Sequence, residues 1–94
     1  MPPLEKTIVA KVLAEAKRLG WWAMKNHGSS YSVKGLPDVL AIKDGMCAWM
    51  EVKRPGEEPT RIQEHVMRQL AGAGCPVTVV RSAPEARRFL EEIR

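Results

Sequence analysis

Hydrophobic positions in the first part of the chain fall at Leu4, Ile8, Val9, Val12, Leu13, Ala16 and Leu19. Steps of three and four predict a helix with one apolar stripe, and Gly20 supplies its stop. The period then changes. Trp21-Trp22-Ala23-Met24 reads as a short strand, and the polar Asn26-His27-Gly28-Ser29-Ser30 as a loop. Two apolar runs follow, Val39-Leu40-Ala41-Ile42 and Cys47-Ala48-Trp49-Met50, joined through Lys43-Asp44-Gly45-Met46. Asp-Gly between apolar runs is the strongest short-range hairpin signal, because both residues tolerate the positive φ of the turn. The runs are apolar at successive positions, so both strands are expected to be buried on both faces. Pro55-Gly56 ends the second strand, and Glu58-Pro59-Thr60 opens a helix that reaches about Ala73 and closes at Gly72 and Gly74. Pro76-Val77-Thr78-Val79-Val80 is a β-branched strand. Ser82-Ala83-Pro84-Glu85 starts a last helix, with Arg87 and Arg88 four residues before Glu91 and Glu92. The order α-β-β-β-α-β-α over residues 1–94 predicts a single α/β domain.

Polar residues that interrupt these patterns carry the candidate chemistry. A two-residue turn at Asp44-Gly45 sets Lys43 opposite Met46, and the same count sets Asp38 opposite Glu51. Directly opposed side chains have Cβ atoms about 4.5–5.5 Å apart on one face, close enough for both carboxylates to grip one cation. Lys53 shares the face of Glu51, while Val52 turns the other way. Two carboxylates this close repel, and without a cation one of them holds a proton. Their oxygens suit Mg²⁺, with Mn²⁺ as a substitute, better than zinc. Cys47, Cys75, His27 and His65 lie at no ligand spacing. The alternative is that Glu51 and Lys53 form a solvated pair on an exposed strand, and the apolar runs on either side argue against it.

The helices add two further candidates. At about 100° per residue, Glu5 lands near the centre of the first apolar stripe, whereas Glu15 lands at its edge. A carboxylate within a core-facing stripe is costly unless it is paired, hydrogen-bonded or bound to metal. Glu5 could instead sit in the first turn, favoured by the helix dipole, with its side chain in solvent. Gln63 projects within the stripe of Ile62, Val66, Met67, Leu70 and Ala73. Its amide can reach a site, or it can close a capping box with Thr60, or both.

Composition narrows the classes of function. Ninety-four residues make one modest core, for which oligomerisation is unsurprising. A net charge of +4 favours a polyanionic partner. Two isolated cysteines give no disulfide framework and suit a reducing, intracellular and cytoplasmic setting. No apolar run is long enough to span a membrane, and the N-terminus has no signal-peptide pattern. Lys25, His27, Lys34, Arg54 and Arg61 flank the acidic residues and are candidate phosphate contacts, although scattered basic residues also merely solubilise a surface. Trp21, Trp22 and Trp49 read as core or subunit contact before base stacking.

Gly35-Leu36-Pro37-Asp38, then Glu51-Val52-Lys53-Arg54-Pro55-Gly56, then Gln63, then Gly74 through Arg81 resemble the VRR-NUC branch of the PD-(D/E)XK nuclease superfamily. The resemblance runs from Glu5 to Arg81. It implies a restriction-endonuclease-like fold, a mixed β-sheet flanked by helices, and metal-dependent hydrolysis of DNA. It also implies that Glu5 is the acidic residue of the N-terminal helix in the family motif. Asp38, Glu51, the Val52 carbonyl and Glu5 would then serve the metal, with Lys53 and Gln63 completing the catalytic set. Compact members of the branch are similar to homodimeric enzymes that resolve branched DNA such as Holliday junctions. A phage-encoded member would act in its host's cytoplasm. Flap or nicking activity, and a silent nucleic-acid-binding module on the same fold, stay open at this point.

Overall fold

The structure is a computed structural model and describes residues 3–28 and 33–93. Helix α1 (Glu5–Arg18) is followed by strands β1 (Trp22–Lys25), β2 (Val39–Lys43) and β3 (Met46–Val52), helix α2 (Arg61–Gly72), strand β4 (Val77–Val80) and helix α3 (Ala83–Glu91). The order is the one expected, and the mixed sheet flanked by helices matches a restriction-endonuclease-like fold. Boundaries move inward by a residue or so: Leu4 and Leu19 cap α1 rather than belong to it, and Thr60 and Ser82 cap α2 and α3. Of the predicted loop, Ser29 and Ser30 lie outside the described residues.

Strand order in the sheet is β1-β2-β3-β4, antiparallel across the first two pairs and parallel between β3 and β4. Asp44 and Gly45 both take positive φ, 51° and 78°, as the tight hairpin between β2 and β3 requires. The resulting register pairs Lys43 with Met46 and Val39 with Met50. A parallel neighbour cannot be reached by a short turn, so α2 serves as the crossover from β3 to β4.

One face of the sheet carries Ala23, Val39, Ala41, Ala48, Met50, Val52 and Val80, all buried. Against it pack Ile8, Val9, Val12 and Ala16 of α1 with Ala86 and Leu90 of α3, which together form the core. This is the stripe that the helical period marks. The other face differs from expectation. Leu40, Ile42, Cys47 and Trp49 are only half-buried, and Trp22 and Met24 on β1 are exposed at 59% and 41%. Burial of β2 and β3 on both faces is therefore corrected. The reason is that α2 lies against β4 at one edge, with Val66 its sole buried residue and outside the main core, and leaves the β1–β3 part of that face uncovered.

Candidate metal and nucleic-acid site

The uncovered face ends, along the strands, at the acidic residues. Asp38 precedes β2, and its Oδ2 accepts a hydrogen bond from the Val52 backbone N–H at 2.8 Å. That bond ties the Asp38 carboxylate to the end of β3, beside Glu51. Glu51 is 1% exposed and Lys53 9%, the two buried charged residues among those described. Both Glu51 carboxylate oxygens are buried without a hydrogen-bond partner. Burial pushes the Glu51 carboxyl up to about 8; the Asp38 charge adds to the rise, as does the hydrogen bond that a protonated Glu51 can share with Asp38, whereas Lys53 opposes it and Glu5 contributes a smaller upward push. The orphaned oxygens are thus those of the ionised carboxylate.

Buried polar groups in native proteins are nearly always satisfied, so two orphaned oxygens on one side chain need a missing partner. A hard divalent cation meets the need of an oxygen-only donor set. Among the described residues, no group of three or more His, Cys, Asp or Glu side chains stands assembled for a metal. The ready-made element is thus the Asp38–Glu51 pair. Glu5, half-buried in the first turn of α1, is close enough for its charge to be felt at Glu51 without joining a ligand cluster. Glu15 takes no part: its carboxylate pairs with Arg18, which lowers its pKa.

The remaining sequence candidates separate. Gln63 closes a capping box with Thr60: its Oε1 accepts from the Thr60 N–H at 2.9 Å, and its own N–H donates to Thr60 Oγ1 at 3.3 Å. The local job exists, and it occupies the amide oxygen. His27 and Lys34 line a cleft of about 320 Å³ together with Asn26, Gly35, Leu36 and Asp38. Arg61 is exposed at the start of α2. Lys25 pairs with Val39, so by register it belongs to the core-facing side and not to the side of Asp38 and Glu51. Sequence proximity misplaces it because alternation along a strand reverses direction at each residue. Arg54 is also turned elsewhere, with its Nε donating to the Pro3 carbonyl at 3.1 Å.

Asn26 is a contributor that the hydrophobic pattern does not mark, since it falls in the polar loop after β1. Its N–H donates to the Asp38 carbonyl at 2.7 Å and its Nδ2 to the Pro37 carbonyl at 3.4 Å, while its Oδ1 accepts from the Gly28 N–H at 3.2 Å. It braces the backbone that carries Asp38. The Asn-x-Gly spacing was the available signal, since an Asn at such a turn bonds the backbone two residues on. Gly35 plays a similar part through shape. Its φ is +86°, and a Cβ there would sit 2.8 Å from the Ile62 carbonyl oxygen, so the loop before Asp38 touches the first turn of α2.

The sequence profile of the archaeal Holliday junction resolvase (Hjc) family matches residues 5–73, a span that includes Glu5, Asp38, Glu51, Lys53 and Gln63. The chain belongs to that family. A solved structure described as a VRR_NUC domain superposes with a TM-score of 0.79, covering 96% of this chain and 97% of that one at 23% identity. At that identity the likeness establishes the fold, and it agrees with the VRR-NUC resemblance carried by the sequence motifs. No curated protein matches the chain. Among the described residues no helix is long and apolar enough to cross a membrane.

Proposed function

We propose that this Hjc-family protein is a Mg²⁺-dependent, structure-selective DNA endonuclease that acts as a homodimer on four-way junctions, with Mn²⁺ able to replace Mg²⁺. The observation that carries the reading is Glu51, fully buried with both oxygens unpaired beside Asp38 and Lys53. Asp38 and Glu51 would hold the ion, with the Val52 carbonyl as a further oxygen and Glu5 adding negative charge. When bound, a divalent ion supplies charge neutralisation at the scissile phosphate and acidifies a water. Phosphodiester hydrolysis forms a bond from the water oxygen to phosphorus, breaks the bond to the leaving sugar oxygen and delivers a proton to that oxygen. Lys53, an ammonium buried beside the pair, orients the attacking oxygen or stabilises the charge that grows on the phosphoryl oxygens. Gln63 keeps its amide N–H₂ free to position Lys53, the phosphate or the water, because capping uses only its oxygen.

Phosphate contacts would fall to His27 and Lys34 in the cleft that Asp38 also lines, and to Arg61, exposed at the start of α2. Such contacts read backbone shape rather than base sequence, and binding that rests on them weakens steeply with salt. The half-covered sheet face offers a surface for a second copy. Trp22, Ile42 and Cys47 form one cross-strand row and Met24, Leu40 and Trp49 the next, with Asp38 and Glu51 continuing the strands.

The test offers labelled four-way junction, flap, nicked and linear duplexes with Mg²⁺, Mn²⁺, Ca²⁺ or EDTA. Symmetric paired cuts in the junction, dependent on Mg²⁺ or Mn²⁺ and abolished by Asp38→Ala and Lys53→Ala with junction binding in Ca²⁺ retained, are the expected result. Cuts confined to flaps or nicks would reassign the substrate. Binding without cutting in every metal would leave a silent module.

A further inference from the structure

Helix α1 begins without a side-chain cap. Leu4 occupies the N-cap position and offers no oxygen to the first turn, so the helix start has none of the local anchoring that Thr60 and Ser82 give to α2 and α3. The anchor comes from across the molecule. Arg54, three residues beyond Glu51, donates its Nε to the carbonyl of Pro3, two residues before Glu5. The Arg54 side chain is half-buried at 34% exposure, and its guanidinium is steadied on its own loop by Glu57, 3.8 Å away. Glu57 sits on a loop that is itself pinned, because Arg81 donates to the Glu57 carbonyl at 2.7 Å and to Glu58 Oε1 at 3.1 Å. A chain of contacts therefore runs from β4 through the loop after β3 to the residue that leads into α1.

We propose that Arg54 is a positioning residue rather than a phosphate contact: by holding Pro3 it fixes the first turn of α1 and so the place of the Glu5 carboxylate at the Asp38–Glu51 site. The inference deepens the metal-nuclease reading and rests on it. An arginine whose Nε is committed to a backbone carbonyl at 3.1 Å is oriented by that bond. A purely electrostatic DNA contact needs no such orientation. The geometry also explains why a half-buried arginine follows Lys53 at a position where the sequence suggests a phosphate contact or surface charge.

The test combines two measurements on wild type, Arg54→Ala, Glu5→Gln and the double variant. In metal-free protein, Arg54→Ala should speed hydrogen exchange at the Thr7 and Ile8 amides, which bond the Leu4 carbonyl at 3.0 and 3.2 Å, while β2 and β3 amides keep their protection. Mn²⁺ titrated into the folded proteins should bind about tenfold more weakly in Arg54→Ala, a loss typical of residues that orient ligands. Glu5→Gln should show a similar loss, and the double variant should lose little more than either alone. Junction binding in Ca²⁺ should keep its dependence on salt. Unchanged exchange at Thr7 and Ile8, losses that multiply in the double variant, or a salt slope shallower by about one in Arg54→Ala, the mark of a lost phosphate contact, would each overturn the proposal. A wild type that binds no Mn²⁺ would sink the metal-nuclease reading and, with it, this role of Arg54; normal Mn²⁺ binding with unchanged exchange would sink the Arg54 role alone.

Discussion

At Glu51 the direction of the pKa shift sets how folding depends on pH. In the unfolded chain the carboxyl ionises near 4.5, whereas in the folded protein burial first, and then Asp38, hold the proton up to about 8. Between those values the native state binds more protons than the unfolded state, so stability falls as pH rises, and the loss is complete above the folded pKa. In EDTA, then, wild-type thermal midpoints should drop from pH 5 to pH 9 relative to Glu51→Gln, which carries no titrating group there. The relative drop should exceed about 5 °C, because each pH unit crossed between the two pKa values is worth about 1.4 kcal/mol and about 1 kcal/mol moves the midpoint of a domain this size by about 4–8 °C. Mg²⁺ should reverse the wild-type drop and leave Glu51→Gln unmoved. Parallel curves for the two proteins, with and without metal, would refute the assignment. The pairing of Asp38 with Glu51 was legible because it depends only on one turn and a count. The orphaned oxygens were not, since burial depends on which elements pack over the strand end.

Elements show the same division between local and distant causes. The Thr60–Gln63 capping box, the Asp44-Gly45 turn, the β2–β3 register and the buried stripe of α1 are all fixed by neighbours within a few positions, and each is where the sequence places it. Coverage of the second sheet face depends on where the crossover lets α2 lie, and apolar runs in β2 and β3 do not reveal that. The face of Lys25 and the carbonyl that Arg54 meets are hidden from the sequence for a related reason: a basic residue's proximity along the chain says nothing about the face it occupies or the partner it finds. Gly35 allows the contact between elements to be tested. Gly35→Ala meets the Ile62 carbonyl at 2.8 Å and a φ of +86°, whereas Gly45→Ala at φ +78° meets nothing within 4 Å. Both pay the left-handed penalty of about 1–2 kcal/mol, so any excess at Gly35 measures the close approach. Urea denaturation should show Gly35→Ala less stable than Gly45→Ala by at least about 1 kcal/mol. Gly35→Ala should also bind Mn²⁺ more weakly, because the displaced loop carries Asp38. Equal destabilisation would mean that α2 yields freely and does not brace the site.

For the whole molecule, charge and apolar surface pull in opposite directions, and that makes dimerisation separable from DNA binding. Each copy carries a net charge of +4, so two copies repel, while the rows built on Trp22 and Met24 offer uncharged contact. If pairing proceeds through that face, salt should strengthen the dimer by screening like charge and weaken DNA binding by removing the gain from counterion release. Trp22 is 59% exposed, so Trp22→Arg spares the core and places a cation on the proposed contact. A central aromatic at an interface is worth about 2 kcal/mol or more, which corresponds to a dimer dissociation constant raised about thirtyfold. Sedimentation equilibrium should therefore find Trp22→Arg monomeric at concentrations where wild type is dimeric, with circular dichroism and thermal midpoint close to wild type. Cleavage of a four-way junction should change in kind as well as in rate: paired symmetric cuts give way to single nicks, because one site can still cut but no longer has a partner across the junction. Trp22→Phe, which keeps the apolar contact, should retain paired cutting. If Trp22→Arg sediments with the wild-type mass, the exposed sheet face is not the subunit contact; if wild type is itself monomeric at every concentration and still cuts in pairs, the two cuts must come from successive encounters.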